Sequence, residues 1–419
     1  MGRRSSGKRL SVGVLDAGVA SLATLLVGGY AIFFFAEDRV GLQSYSLAFN
    51  GFILAGVIPA YLVYNPIEIK LLTHRSGQQL GALPRTVVLG ALPSLVASVL
   101  AALSLLVFAD APASTLAAFA ITMTAASTLS PIQDHVRRVM HGAGRSEWAF
   151  LTSCVQLAVV IVALALLTFL DVDRAWIPFG SLAAANAVSL TVATVLTRRG
   201  AEPPIRSDLE VAKVARLGGW VLVANLSERL GLYLALVIVA NIAGNEPGAN
   251  YEPARQLANA LYVLGNGLIP VLREPVVQAA VQRNSSMARR SVTTYVGMIS
   301  AAAVGWGLLA GIEWPFNPLP KLRMFELAYE QNGMVLLMIV WTALWTISLL
   351  FANELMGGRR EVAMARANMT ATGLSIACAV AFASPFGAIA IPMALTVQFL
   401  TVNVLYALER RELYRVVAA

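Results

Sequence analysis

Residues 14–41 read VLDAGVASLATLLVGGYAIFFFAEDRVG, and residues 221–248 read VLVANLSERLGLYLALVIVANIAGNEPG. Each is an apolar run closed by a short acidic turn and a glycine. Each run exceeds the roughly 20 residues of helix that cross about 30 Å of hydrocarbon. Basic residues precede both runs: Arg3 to Arg9 in the first case, Lys213 and Arg216 in the second. Outward from these runs, 25 of the 31 Lys and Arg residues fall into seven clusters: Arg3–Arg9, Lys70–Arg85, Arg137–Arg145, Arg198–Arg216, Arg273–Arg290, Arg359–Arg366 and Arg410–Arg415. Two apolar runs separate each cluster from the next. Cytoplasmic loops of membrane proteins collect Lys and Arg, so the alternation is a topology. It predicts twelve spans with both termini cytoplasmic.

The spans expected are 11–36, 42–64, 86–109, 114–132, 148–170, 177–196, 217–243, 251–272, 291–312, 333–351, 367–383 and 387–408. Composition agrees with them. The chain is 58% hydrophobic and 13% charged, whereas a soluble domain is about a quarter charged. The net charge of +8 does not point to nucleic acid, because it is spread along one membrane face, where it favours anionic lipid. The basic start followed by an apolar run looks like a signal peptide. The run is too long for a signal core, however, and reads as the first span.

The two quoted stretches align with each other, and Met140–Arg145 has a counterpart in Met356–Arg359. Six spans per half is an even number, so the repeat is parallel, a recurring transporter design with a site between halves. The expected fold is therefore an all-α integral membrane protein of about twelve transmembrane helices in two six-helix lobes. The lobes are residues 1–197 and 217–419, joined by a cytoplasmic linker, 198–216. The links on the far side are too short for a soluble domain; the longest is 313–332.

Six cations lie outside the clusters. Arg39, Arg174, Lys321 and Arg323 fall in external links, while Arg229 and Arg255 fall inside apolar runs. Arg229 is about 20 Å from either surface at 1.5 Å per residue. A cation at that depth costs at least about 2.5 kcal/mol, so it should face a hydrated cavity or a partner. Asn225, Glu228 and Arg229 stand at i, i+3 and i+4, one face of a helix. The plainer reading is a local Glu228–Arg229 pairing. Tyr251, Glu252 and Arg255 open the eighth span. Arg255 can snorkel to the surface or pair with Glu252 three residues away, and the functional alternative is a basic rim on the same cavity. At the inner ends, Asp16, Asp134, Arg138 and Glu354 are candidates for a gate or an ion-coupling site. Asp134 and Arg138 are spaced to pair with each other, and interfacial salt bridging is the plainer role for all four.

Other features carry less. Cys154 and Cys378 lie in apolar runs and form no disulfide framework. His74, His135 and His141 fall in inside loops without metal-ligand spacing, so no metal and no cofactor is expected. Pro59, Pro93, Pro178, Pro270 and Pro392 mark bends or edges of spans. Gly307 and Gly311 form a GxxxG, a close-packing signal. There is no phosphate-binding loop for ATP and no HExxH or GxSxG motif, so nothing predicts a catalytic residue. Asp171-Val172-Asp173 is a lone DxD in a short link. It leaves a membrane-embedded glycosyltransferase as a minor alternative.

Three stretches resemble the polysaccharide-exporter, O-antigen-flippase-like branch of the multidrug/oligosaccharidyl-lipid/polysaccharide exporter superfamily. They are residues 15–49, residues 132–150 (IQDHVRRVMHGAGRSEWAF) and residues 248–272 (GANYEPARQLANALYVLGNGLIPVL). The resemblance implies a flippase in the bacterial cytoplasmic membrane that moves a polyprenyl-pyrophosphate-linked oligosaccharide by alternating access. Arg229 and Arg255, with Asn225, Glu228, Tyr251 and Glu252, would line its cavity. Its partners would be the lipid-linked substrate, membrane lipid, and a glycan polymerase or other envelope assembly proteins. A cation-coupled multidrug or small-metabolite antiporter of the same fold is the alternative; carboxylates and aromatics in the cavity would favour it. A non-transporting scaffold in an envelope complex is a third possibility.

The topology is directly testable. A cysteine placed at position 171 should react with impermeant maleimide added outside the cell, and one at 203 only after permeabilisation; the reverse pattern would overturn the orientation.

Overall fold

The structure, a computed structural model, describes residues 3–71, 74–203, 211–244 and 246–415. Twelve long helices account for nearly all of them: α1 Arg3–Phe34, α2 Arg39–Pro59, α3 Ser76–Phe108, α4 Ala113–Gly142, α5 Ser146–Phe169, α6 Ile177–Arg198, α7 Val211–Ala243, α8 Glu246–Val281, α9 Ser285–Trp306, α10 Met334–Gly357, α11 Glu361–Phe386 and α12 Ala390–Arg415. No strand occurs among the described residues. Ten segments are long and apolar enough to span a bilayer, and the last of these, Glu361–Arg415, holds both α11 and α12. With α8, a helix of 36 residues, the long helices number twelve, as expected. The chain is a multi-pass membrane protein.

Backbone groups in hydrocarbon have no water to bond, so each span closes its own hydrogen bonds as a helix. The helices outlast the apolar runs at their basic ends. α3 starts at Ser76 rather than Thr86, and α4 continues to Gly142 rather than stopping at Ile132. Hydropathy registers the part in lipid, whereas the helix continues into the interface. One consequence corrects the sequence reading: His135 and His141 lie on α4, not in a loop. Of the expected linker, residues 204–210 lie outside the described residues and 211–216 form the first turns of α7.

Prolines act as punctuation. Pro59 is followed at once by a π-turn, Ala60–Tyr64, while Pro93 sits inside an unbroken α3. Pro178 and Pro392 fall in the first turn of their helices, where a missing N–H costs nothing. Gly307 and Gly311 both rest against Leu336 of α10, so the GxxxG serves helix packing.

Packing divides the chain into two units: Met1–Phe34 with Leu47–Leu222, and Phe35–Ser46 with Val223–Ala419. In the first, α3 packs on α4, α4 on α6, and α5 on both α1 and α6. In the second, α8 packs on α10, α10 on α12, and α11 on α12. α7 is tied to α11 by Asn368 Nδ2 donating to Ala224 O (2.9 Å), and to α12 by Gln398 Nε2 donating to Glu228 O (3.0 Å). The α4–α6 and α5–α6 pairings of the first unit thus recur as α10–α12 and α11–α12 in the second.

Gly90 on α3 shows how tight the first unit is: a Cβ there would lie 2.1 Å from the Tyr64 ring, which itself stacks on His135. Gly90→Ala should lower the melting temperature, because overpacking a filled site costs about 1–3 kcal/mol. Gly18→Ala, where nothing lies within 4 Å of the new methyl, should leave it equal or higher. Thermal unfolding in detergent reads both.

Candidate functional site

Glu228 and Arg229 sit deep in α7. From Ala243 at the helix end, 243 − 228 = 15 residues place Glu228 about 22 Å into the bilayer. The Trp345 indole N–H of α10 donates to Glu228 Oε1 at 2.8 Å. The backbone around the carboxylate is also fastened: Gln398 bonds Glu228 O, and Thr372 Oγ1 donates to Ser227 O at 2.7 Å. Arg229 takes a different route. Its guanidinium lies 4.3 Å from the centre of the Trp345 ring, and its Nε is 4.0 Å from Glu228 Oε1. The local pairing expected from sequence is therefore at its outer limit, and the guanidinium also makes a cation–π contact with the Trp345 face.

Trp345 stacks on Tyr262 of α8 (4.3 Å) and on Trp341 one turn away (5.6 Å), with Phe399 of α12 at 6.0 Å. One indole thus serves the carboxylate through its N–H and the cation through its face. Trp345, Tyr262, Trp341 and Gln398 were missed from sequence. Trp341 and Trp345 stand at i, i+4 in an apolar run, which reads as core, and nothing local says that α7 is their neighbour. Asn225, one turn before Glu228, is half-buried on the same helix.

On α8, Arg255 Nε donates to Glu252 Oε2 at 2.9 Å, and its Nη2 donates to Oε1 of the same carboxylate. Glu252 is fully buried. This bidentate pair is the local one allowed by the spacing, and it explains how a charged helix start is tolerated in lipid. Tyr251 beside it is fully buried, and its hydroxyl has no hydrogen-bond partner. Buried hydroxyls are usually paired, and Tyr251 shares this exception with Ser375 and Thr396 of the same unit.

The inner-end candidates are all engaged. Asp16 of α1 is buried and accepts from Ser153 Oγ of α5 and from Arg137 Nη2 (3.0 Å), with His141 Nε2 at 2.8 Å, the latter two on α4. Asp134 bonds Arg137 at 3.0 Å, one residue earlier than the expected partner Arg138. Arg138 instead faces Glu68 at 3.6 Å, and the same Glu68 lies 2.9 Å from His135 Nδ1. On α4, residues 134, 137 and 141 share one face while 135 and 138 share the next, so two networks run side by side. Glu354 of α10 is buried and bonded by Arg410 and by Tyr414 Oη (2.7 Å), both of α12. Among the described residues, no three His, Cys, Asp or Glu side chains converge to hold a metal.

No family model matches the chain, and no curated protein matches it in sequence. Solved structures do match in fold. A transporter of the MOP superfamily from Pyrococcus furiosus, described as having a binding pocket of reverse polarity that suggests a different function, aligns with TM-score 0.68 at 16% identity, covering 97% of this chain and 94% of its own. A crystal structure of a mutant MATE transporter aligns at 0.69 and 15% identity, covering 98% and 96%. A eukaryotic MATE transporter aligns at 0.64 and 13%, covering 98% and 96%. The chain therefore shares the fold of these transporters along nearly its whole length.

The Asp16 network should be structural. Asp16→Ala leaves the guanidinium of Arg137 without its buried carboxylate, and breaking such a pair costs about 3–5 kcal/mol. A clear drop in detergent melting temperature is expected, with a smaller one for Ser153→Ala; unchanged melting in Asp16→Ala would remove the network from the account of stability.

Proposed function

We propose that this protein is an alternating-access transporter that couples the movement of a cation to export of a small amphipathic solute, with Glu228 as the coupling group. One observation carries the proposal: a carboxylate at mid-membrane depth takes a hydrogen bond from Trp345, with the Arg229 guanidinium 4.0 Å away. An ionised carboxylate deep in a span is expensive. A proton or an alkali cation at Glu228 relieves that cost, and so does the positive end of a solute. Two ligands that neutralise one carboxylate exclude each other, and this mutual exclusion is the physical basis of exchange. The aromatic faces of Tyr262 and Trp345 suit a cationic or planar solute body. The MATE and MOP transporters that share the fold support transport as the general activity.

A second reading has its own observation. Arg229 and Arg255 are cations inside spans of one unit, as an anionic substrate would require, and Arg is suited to phosphate by its planar set of donors. With the three stretches that resemble polysaccharide exporters, this keeps a polyprenyl-pyrophosphate-linked oligosaccharide in view. A sugar head group crossing hydrocarbon unaided would lose its hydrogen bonds at about 2–7 kcal/mol each. The tail could stay in lipid while the head group crosses a hydrated path. Both readings place the protein in a bacterial cytoplasmic membrane with cytoplasmic termini, on the distribution of its cations.

Two substitutions separate the readings. In proteoliposomes with an imposed cation gradient, Glu228→Gln should reduce efflux of a cationic dye at least tenfold while Arg229→Ala retains most of it. If the wild type moves no cationic dye, and Arg229→Ala rather than Glu228→Gln abolishes surface glycan in cells, the lipid-linked glycan is the substrate and the antiport proposal fails.

A further inference from the structure

The link between α9 and α10 is built unlike a solvated loop. Residues 312–325 read IEWPFNPLPKLRMF. Pro315, Pro318 and Pro320 remove three backbone donors and bar an α-helix, leaving only a single 3-10 turn at Leu319–Lys321. Asn317 instead organises the segment: it is buried, its Nδ2 donates to Ile312 O (3.1 Å), and its Oδ1 accepts from Leu319 N (3.0 Å). The Trp314 indole N–H donates back to Leu309 O at 3.2 Å. With that donor satisfied, the Trp314 ring meets Phe316 edge-on at 6.2 Å.

The fold holds these rings outward. Phe316 is 83% exposed, and Trp314 and Leu322 of the same link are exposed too. The inner side of the link is fixed to its own unit: Asn250 Nδ2 donates to Leu327 O (2.9 Å) and Tyr329 Oη to Ala310 O (2.6 Å). Arg323 pairs with Glu37 (2.8 Å), and Arg39 with Glu330 (2.7 Å). Rings on a well-fastened segment are not left out by looseness. They also follow the π-helical turn Gly307–Gly311 that ends the α9 span, where Leu308 and Leu309, and then Ile312, are exposed.

We propose that this link is a membrane-surface anchor, its Trp314 and Phe316 rings seated in the phospholipid headgroup layer on the side where α9 ends. Exposed apolar residues that leave a span at Leu308, Leu309 and Ile312 and end in an indole with a satisfied N–H fit the boundary between hydrocarbon and water. A solvated link would gain nothing from such exposed apolar residues. Through Arg323–Glu37 and Arg39–Glu330, the anchor also sets the depth of residues 35–46, which begin α2.

The test uses the full chain with Cys154→Ser and Cys378→Ser, and a nitroxide on Phe316→Cys, in phosphatidylcholine/phosphatidylglycerol vesicles. Collision with oxygen should exceed collision with a water-soluble nickel chelate. The ratio should fall between that of Leu309→Cys in lipid and that of Asp110→Cys in water. A ratio equal to that of Asp110→Cys would put the ring in water. Exclusion of both reagents would mean that protein, a partner or a second copy, covers it. Either result overturns the proposal. The otherwise native chain gives an independent check. The fluorescence difference between wild type and Trp314→Phe should be quenched by lipid nitroxides near the headgroup and protected from aqueous iodide; iodide quenching overturns the anchor.

Discussion

A polar group inside hydrocarbon must find its partner within the protein, and this constraint governs where every charge in this chain can sit. The solutions differ with depth. At the basic ends of the helices, carboxylates act as rivets between helices: Asp16 joins α1 to α4 and α5, and Glu354 joins α10 to α12. Near the start of α8, Glu252 and Arg255 neutralise each other along one helix. At mid-depth, Glu228 has a neutral indole donor and a guanidinium at the edge of pairing distance. Asp16 is saturated by donors, some of them charged. Glu228 is held more lightly, and a lightly held charge can change its state without unravelling the helices around it.

The internal repeat makes the contrast sharper. α1 and α7 occupy corresponding places, each bonded to the helix four later in the chain, through Asp16 and Ser153 in one unit and Ala224 and Asn368 in the other. In the first unit that contact commits the carboxylate of α1 to structure. In the second, backbone carbonyls of α7 take the bonds from α11 and α12, so the fastening does not consume the Glu228 side chain. The same architecture can thus hold a charge or leave it available, depending on whether side chains or main chain make the joints.

Much of the fold was legible because hydropathy and charge are one-dimensional signals. Twelve apolar runs and seven basic clusters fixed the number of spans, and the quoted runs at 14–41 and 221–248 exposed the repeat. Helix ends were less legible, because α3 and α4 continue past the lipid where composition turns polar. This is why His135 and His141 looked like loop residues. The site was half legible. A mid-span Arg and Glu are conspicuous in any apolar run, so Glu228 and Arg229 stood out. Their partners were invisible, since Trp345 lies 345 − 228 = 117 positions from Glu228 and reads locally as core. The Asp134 pairing shows the finer limit: spacing allows Arg137 or Arg138, and only the neighbouring Glu68 and Asp16 decide which goes where.

Trp345 couples the two mid-membrane charges in a way that neither residue does alone. Its N–H favours an anionic Glu228, and its face favours a cation at Arg229. Any ligand that protonates or neutralises Glu228 weakens the pull on the indole N–H. Any ligand that displaces the guanidinium removes a cation–π contact worth about 0.5–2 kcal/mol. Because Tyr262 and Trp341 stack on the same ring, a shift of the indole must also move α8 or the α10 turn that carries Trp341. A small electrostatic change at one carboxylate therefore reaches three helices through one rigid side chain. On the proposed function, this is the lever that alternating access would use, since packed helices switch between discrete arrangements rather than deform smoothly.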